Sequence, residues 1–241
     1  MPDSLNTAVI LAGGRGLRIS PLTNNRPKPM ISVLNKPLLH WTVESLAAQG
    51  IKKIVIGVAY KKEKIMEYFK DGKDFGVDIF YSEHSVEGGT GEGFRLAISR
   101  FVKDKSFLAM NGDELIDINI KQLYEFHSRY NPLATVVIKE IKIPFGVIKI
   151  HSNGDILMFD EKPTIPGYYV STGVYLFEND ILPYIPEHGD IERTTYKILT
   201  ESGKLKAFVH NGFWCTVNNL KDLADAENEL KLQILKSEIK L

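Results

Sequence analysis

Five basic residues, Arg15, Arg18, Arg26, Lys28 and Lys36, fall in a span from Ser4 to Val43 that holds no Asp or Glu. The whole chain carries 30 residues of each sign, so this excess of cation is local. Inside the span runs Leu11-Ala12-Gly13-Gly14-Arg15-Gly16-Leu17-Arg18, preceded by an apolar run, Ala8 to Leu11, that reads as a buried strand. A glycine-rich turn at a strand end presents backbone N–H groups, because glycine tolerates positive φ and close approach. Amide donors among cations, with no carboxylate nearby, suit a polyphosphate. No Gly-Lys-Ser/Thr follows, so this is not a P-loop, and the glycines are too crowded for a G-x-G-x-x-G dinucleotide turn. Taken alone, the loop also fits a tight turn with a solvated basic edge.

A second candidate group is Asn111-Gly112-Asp113, which closes another apolar run. A carboxylate there can hold Mg²⁺, which takes oxygen ligands together with substrate phosphates. An Asp in an ordinary turn is the competing reading. Asp117 reads as the cap of a following helix. Glu161-Lys162, by itself, reads as a surface ion pair. The histidines show no paired metal spacing, and no G-x-S-x-G nucleophile elbow occurs, which argues against covalent catalysis.

These groups need a frame. Ile54–Val58, Val77–Tyr81 and Phe107–Met110 read as strands, separated by helical stretches over Pro37–Gln49, Lys61–Lys70 and Gly91–Phe101. That order predicts an α/β fold: a mixed, mostly parallel sheet with helices on both faces, Rossmann-like, and ligands beyond the carboxyl ends of the strands. The second half reads as strands over Thr135–Ile141, Val147–Ile150, Ile156–Phe159 and Val170–Phe177, with helices over Asn179–Ile185 and Ile191–Glu201. Asn219 reads as the cap of a last helix running towards Leu241. Leu220, Leu223, Leu230, Ile234 and Leu235 form its apolar stripe, for packing on the domain or, alternatively, for a homodimer contact.

With 241 residues and 44% apolar composition, the chain has material for one full core. Zero formal charge argues against a general nucleic-acid or membrane-surface binder. The single cysteine, Cys215, excludes an internal disulfide and fits a reducing compartment. The N-terminus, Met1 to Thr7, lacks a signal-peptide pattern, and no stretch approaches transmembrane length. The expectation is a cytoplasmic protein with no membrane or nucleic-acid partner.

The loop is the start of a longer pattern. Leu11–Arg18, Pro21-Leu22-Thr23, Pro27-Lys28-Pro29 and Asn35-Lys36-Pro37 resemble, in order, the signature of the sugar-1-phosphate nucleotidylyltransferases. Leu17 departs from it, standing where Thr or Ser is usual. Asn111-Gly112-Asp113, Phe145-Gly146-Val147, Phe159 to Pro163 and Ser171-Thr172-Gly173 continue the match. The resemblance implies one nucleotidyltransferase domain over 1–241: a nucleotide-binding part about 1–130, a sugar-binding part about 131–218 and a C-terminal helix 219–241. It implies that Leu11, Ala12, Gly13, Gly14, Arg15, Gly16, Gly89 and Thr90 bind an NTP, and that Arg18 and Lys28 hold its phosphates. Gly146, Glu161, Lys162 and Thr172 would bind a sugar 1-phosphate, with Lys162 on the attacking phosphate. Asp113 would ligate Mg²⁺. Relatives with W-x-D-I-G-T use that Asp as second ligand; here Thr216 aligns with it, while Val217-Asn218-Asn219 resembles the V-N-N of the uridylyltransferase branch acting on N-acetylglucosamine 1-phosphate. Asn218 is therefore the second candidate ligand, or else a helix cap.

The reaction implied is transfer of a nucleotidyl group from an NTP to a sugar 1-phosphate, with release of pyrophosphate. Glu83, just before the Gly88-Gly89-Thr90-Gly91 loop, can accept from guanine N1–H and N2–H or from the cytosine amine. This leans towards GTP, and the chain's resemblance to the short mannose- or heptose-1-phosphate guanylyltransferases implies mannose or heptose 1-phosphate. The alternatives are UTP or CTP with another sugar phosphate or phosphocholine, and a catalytically weak subunit that senses nucleotide sugars.

Overall fold

The computed structural model describes residues 5–238. The described elements, in chain order, begin with β1 (Thr7–Leu11), β2 (Ser32–Val33), β3 (Lys36–Pro37), α1 (Leu38–Ala48), β4 (Lys53–Val58), α2 (Lys62–Phe69), β5 (Asp78–Glu83) and α3 (Gly89–Phe101). Then come β6 (Ser106–Asn111), β7 (Glu114–Ile116), α4 (Ile120–Tyr130), β8 (Ala134–Lys142), β9 (Gly146–Ile150), β10 (Ile156–Glu161) and β11 (Thr164–Glu178). The chain closes with α5 (Thr195–Glu201), β12 (Leu205–Val209), β13 (Trp214–Thr216) and α6 (Leu220–Glu238).

Seven strands form the central sheet in the order β12-β8-β11-β6-β1-β4-β5. β4, β6 and β5 run with β1, whereas β11 is antiparallel to both β6 and β8. The mixed, mostly parallel sheet expected from the sequence is what forms.

Side chains alternate across a strand, and here both faces are buried, which is why the strands read as continuous apolar runs. Ala8, Ile10, Ile54, Ile56, Leu108 and Met110 join one core with Leu39, Val43, Ile65 and Leu123. Val9, Val55, Phe107 and Ala109 join the other with Phe94, Ala97, Ile98, Tyr175 and Phe177. A third cluster seats α6: Ala226 and Val217 are fully buried beside Ile19, Ile31, Val33, Leu38 and Leu115, with Leu223 and Leu230 against them. The apolar stripe of α6 therefore packs on its own domain at Leu223 and Leu230, while Leu220 and Leu235 stay exposed. Residues 239–241, where the expected helix was to end, and residues 1–4 lie outside the described residues. Among the described residues, no helix is long and apolar enough to cross a membrane.

Several elements differ from expectation. Asn179–Tyr184 is a 3₁₀ segment, because Pro183 has no N–H for an α-helical bond. The helix expected from Ile191 begins only at Thr195. Asp117 caps nothing: it faces His210 Nε2 at 2.9 Å, and Asn119 caps α4 by accepting from Gln122 N–H at 3.0 Å. β11 runs from Thr164, well before the expected Val170. Asn219 does cap α6, accepting from Asp222 N–H at 2.9 Å.

Candidate active site

The parallel strands end at one sheet edge. β1 delivers the glycine loop there, β6 delivers Asn111-Gly112-Asp113, and β5 delivers His84 and the turn into α3. Together they wall a cleft of about 580 Å³.

The glycine loop is pinned at its root and open at its tip. Ala12 N–H donates to the Gly57 carbonyl at 2.7 Å, Gly112 N–H to Leu11 at 2.8 Å and Tyr60 N–H to Gly13 at 3.2 Å. Among the described residues the amides of Gly14, Arg15 and Gly16 donate to nothing. Two glycines are required by sterics. A β-carbon on Gly13 would stand 2.6 Å from the His84 ring. Gly16 has φ +63°, and a β-carbon there would meet the Lys28 stem at 2.7 Å. The result is a row of unpaired donors facing the cleft, the arrangement that cradles phosphate oxygens.

Opposite the loop, Lys28 Nζ donates to Asp113 Oδ2 at 2.7 Å and to Asn218 Oδ1 at 3.0 Å. Lys28 is buried, whereas Asp113 is half-buried and keeps one side open to the cleft. Asn218 is not the helix cap; Asn219 takes that role, and the Asn218 backbone N–H donates to Asp222 at 2.9 Å. Its side-chain oxygen accepts from Lys28, and its side-chain N–H donates to Thr216 Oγ1 at 3.3 Å. Beside them, burial and the neighbouring Asp113 charge push the Glu114 carboxyl up to about 8, against the opposing pull of Lys28 and Trp214. Arg15 reaches across the mouth to Glu87 at 3.2 Å. Arg18 lines the cleft and has no ion-pair partner among the described residues.

The structure thus brings Leu11 to Gly16, Arg18, Lys28, Gly89, Thr90, Asp113 and Asn218 to one cleft. Others it places elsewhere. Glu83 does not line the cleft; its exposed carboxylate accepts from Lys62 Nζ at 2.5 Å, and the next residue, His84, lines the wall instead. Thr172 is fully buried and donates to the Val137 carbonyl at 2.9 Å, so its hydroxyl is already committed. Gly146, Glu161 and Lys162 lie on an exposed arm, where Gly146 pairs with Glu161 in the β9–β10 ladder and Lys162 Nζ is 3.6 Å from Glu161. Thr90 lines the cleft, but its hydroxyl donates to Glu192 at 2.8 Å and accepts from Ile191 N–H at 3.0 Å.

Sequence reasoning missed the segment around Gly189 to Glu192. It clamps the Gly88–Gly91 turn through Gly91 N–H to the Gly189 carbonyl at 2.8 Å and Gly189 N–H to Gly88 at 2.9 Å, and it adds Asp190 to the cleft. No local pattern marks such a contact across a hundred or so positions of sequence. His84 was also missed. Its Nδ1 lies 2.9 Å from the Ser85 carbonyl, so that nitrogen carries the proton, and its Nε2 is buried without a partner.

The fold and its edge cleft define an α/β protein, and sequence comparison gives the family. The chain belongs to the nucleotidyl transferase family, whose model matches residues 7–233. It is 33% identical over 235 residues to a UTP–glucose-1-phosphate uridylyltransferase of Synechocystis sp., covering 89% of this chain and 61% of that protein. It is 31% identical over 221 residues to the mannose-1-phosphate guanylyltransferase catalytic subunit beta of Drosophila melanogaster, covering 89% and 60%. The chain thus spans about three fifths of the length of these curated relatives. Among solved structures, a putative glucose-1-phosphate thymidylyltransferase from Bacillus anthracis in complex with a sucrose superposes with TM-score 0.75 at 25% identity, covering 93% of this chain and 94% of that one. HddC from Yersinia pseudotuberculosis shares the fold, with TM-score 0.73 at 23% identity over 94% of this chain and 100% of that one.

Proposed function

We propose that this chain transfers a nucleotidyl group from an NTP to a sugar 1-phosphate, giving an NDP-sugar and pyrophosphate, with GTP and mannose or heptose 1-phosphate as its substrates. The observation that carries this reading is the cleft itself: unpaired amides of Gly14 to Gly16 on one side, Lys28, Asp113 and Asn218 on the other. The loop amides and Arg18 hold the triphosphate. A phosphate oxygen of the sugar 1-phosphate attacks the α-phosphorus, a new P–O bond forms, and the bond to pyrophosphate breaks with its electron pair leaving on pyrophosphate. Such an in-line displacement needs positioning and charge neutralisation more than acid–base groups. Lys28 moves its charge onto the departing pyrophosphate, and Lys162 steers the attacking phosphate.

Mg²⁺ fits the residues present. The Asp113 and Asn218 oxygens converge on one cation, the Lys28 ammonium, and a carboxylate with an amide oxygen is a hard donor set. Among the described residues, no group of three or more His, Cys, Asp or Glu makes a closed metal cage. Mg²⁺ characteristically completes such a pair with water and substrate phosphates. When bound there, it supplies positive charge to the α-phosphate and the sugar phosphate.

The guanylyl reading draws on the mannose-1-phosphate guanylyltransferases among the relatives, since Glu83 faces Lys62 rather than the cleft. The uridylyl alternative draws on the relative from Synechocystis. Pyrophosphate release across a panel of the four NTPs with mannose, heptose and glucose 1-phosphates separates them. Highest kcat/KM with GTP and mannose or heptose 1-phosphate is expected; highest kcat/KM with UTP and glucose 1-phosphate overturns the guanylyl reading. Silence across the panel overturns the transferase reading in favour of a sensing subunit.

A further inference from the structure

Two of the shortest strands in the molecule deliver both halves of the candidate cation site. Asp113 immediately precedes β7, and Asn218 stands two residues beyond β13. β7 and β13 pair only with each other, through Trp214↔Ile116, Cys215↔Leu115 and Thr216↔Glu114. A two-stranded ladder this short is marginal by itself. Something else must fix its place against the central sheet.

The Trp214 indole does so. Its Nε1–H is shared between Glu114 Oε2 at 3.0 Å and the Thr172 carbonyl of β11 at 3.1 Å. One donor therefore joins β13, the segment that carries Asp113, and the centre of the main sheet. Glu114 is held from other sides too. Its carbonyl accepts from Thr42 Oγ1 of α1 at 3.3 Å. Gly173, at φ +73°, leaves room beside it: a β-carbon there would lie 3.2 Å from Glu114 Cγ and 2.7 Å from Asn111 Nδ2. Neither Glu114 nor Trp214 lines the cleft. A buried carboxyl that loses its only side-chain donor suffers the full cost of an unsatisfied polar group and turns towards solvent. Asp113 is the preceding residue, so a shift of the Glu114 backbone away from Thr216 and Thr42 shifts Asp113 with it.

We infer that Trp214 and Glu114 are positioning residues: their hydrogen bond to one another and to β11 sets the spacing of Asp113 and Asn218, and through it the affinity for a divalent cation. The inference rests on the proposed cation role of Asp113 and Asn218.

Mn²⁺ binding to the nucleotide-free chain, followed by water-proton relaxation, tests it. The variants are Trp214→Phe, Glu114→Ala, Glu114→Gln and, as a ligand-loss control, Asp113→Asn. Thermal melting establishes that each is folded. Trp214→Phe keeps an aromatic ring but loses the N–H, and Glu114→Ala loses the acceptor. Each is expected to weaken Mn²⁺ about tenfold, the low end of what losing a group behind a metal ligand does. Glu114→Gln keeps an oxygen for the indole and is expected to stay within about twofold of the parent. A purely structural role would lower the melting temperature and leave Mn²⁺ affinity alone. Parent-like Mn²⁺ binding in Trp214→Phe and Glu114→Ala, with binding lost in Asp113→Asn, overturns the positioning role while leaving the cation site standing. Parent-like binding in all four, Asp113→Asn included, overturns the cation site and the positioning role with it.

Discussion

The glycine loop and the arm from Lys142 to Val170 carry comparable amounts of family-like sequence, but the fold treats them in opposite ways. The loop is rooted between buried strands, and it is cross-linked by backbone hydrogen bonds from Ala12 to Gly57, from Tyr60 to Gly13 and from Gly112 to Leu11. No residue of the arm is buried. Phe145, Ile148, Ile150, Ile156, Phe159 and Tyr168 all stand exposed on it, and among the described residues the Lys162 ammonium pairs only with Glu161. The proposed nucleotide side is therefore preorganised by packing, whereas the proposed sugar side holds its charged groups on a two-stranded hairpin whose side chains are exposed. Preorganised groups contribute to the transition state without reorganisation, while groups on a loosely supported arm contribute mainly to capture.

That contrast can be broken in order of expected effect. Lys28→Ala and Arg18→Ala should each lower kcat at least about a hundredfold with the fold intact, on the order of 3 kcal/mol for one preorganised charge. Near-parent turnover in both, with circular dichroism unchanged, would remove the phosphate role of the cleft. Lys162→Ala should raise the KM for sugar 1-phosphate about tenfold, the loss of one charge-assisted contact, and leave NTP binding within about twofold. Isothermal titration of each ligand decides; a defect confined to the NTP would mean that the arm does not serve the sugar.

A third, smaller effect lies away from the cleft and tests the scaffold. His127 is buried, with Nδ1 2.8 Å from Thr135 Oγ1 and Nε2 3.0 Å from Glu178 Oε1. Burial lowers its pKa from the ordinary 6.5, although Glu178 pulls the other way. The folded chain then resists a proton that the unfolded chain accepts. Stability is present above the ordinary histidine value and falls as pH drops below it. His127→Gln should flatten that fall as pH drops below about 6.5, read from urea midpoints. Parallel pH profiles would show that His127 does not titrate in this way.

What was legible in the sequence follows the same division. Buried parallel strands are continuous apolar runs, and turns at their ends must carry glycine, so β1, β4, β6 and the cleft loops stand out locally. Asp113 and Asn218 were nameable one at a time, but their meeting depends on pairing Glu114 with Thr216, a contact across most of the chain that no local period encodes. β7 and β13 are too short to show alternation. α4 was expected only as a helix following Asp117, without bounds, although Ile120, Leu123 and His127 follow helical spacing after the Asn119 cap. Glu83 lies outside the cleft because a strand's last residue can face either side, and here it pairs with Lys62. The Thr172 hydroxyl serves the Val137 carbonyl, a contact that a motif match cannot reveal.

The central claim is that Asp113 and Asn218 together hold the cation used in the reaction. Mg²⁺ titration of turnover at saturating substrates, in the parent, Asn218→Asp and Asn218→Ala, tests it most directly. A second carboxylate adds a full charge close to the ion. Asn218→Asp should therefore lower the half-saturating Mg²⁺ concentration several-fold, and Asn218→Ala should raise it about tenfold. Half-saturation values that stay at the parent level in both variants would contradict the account.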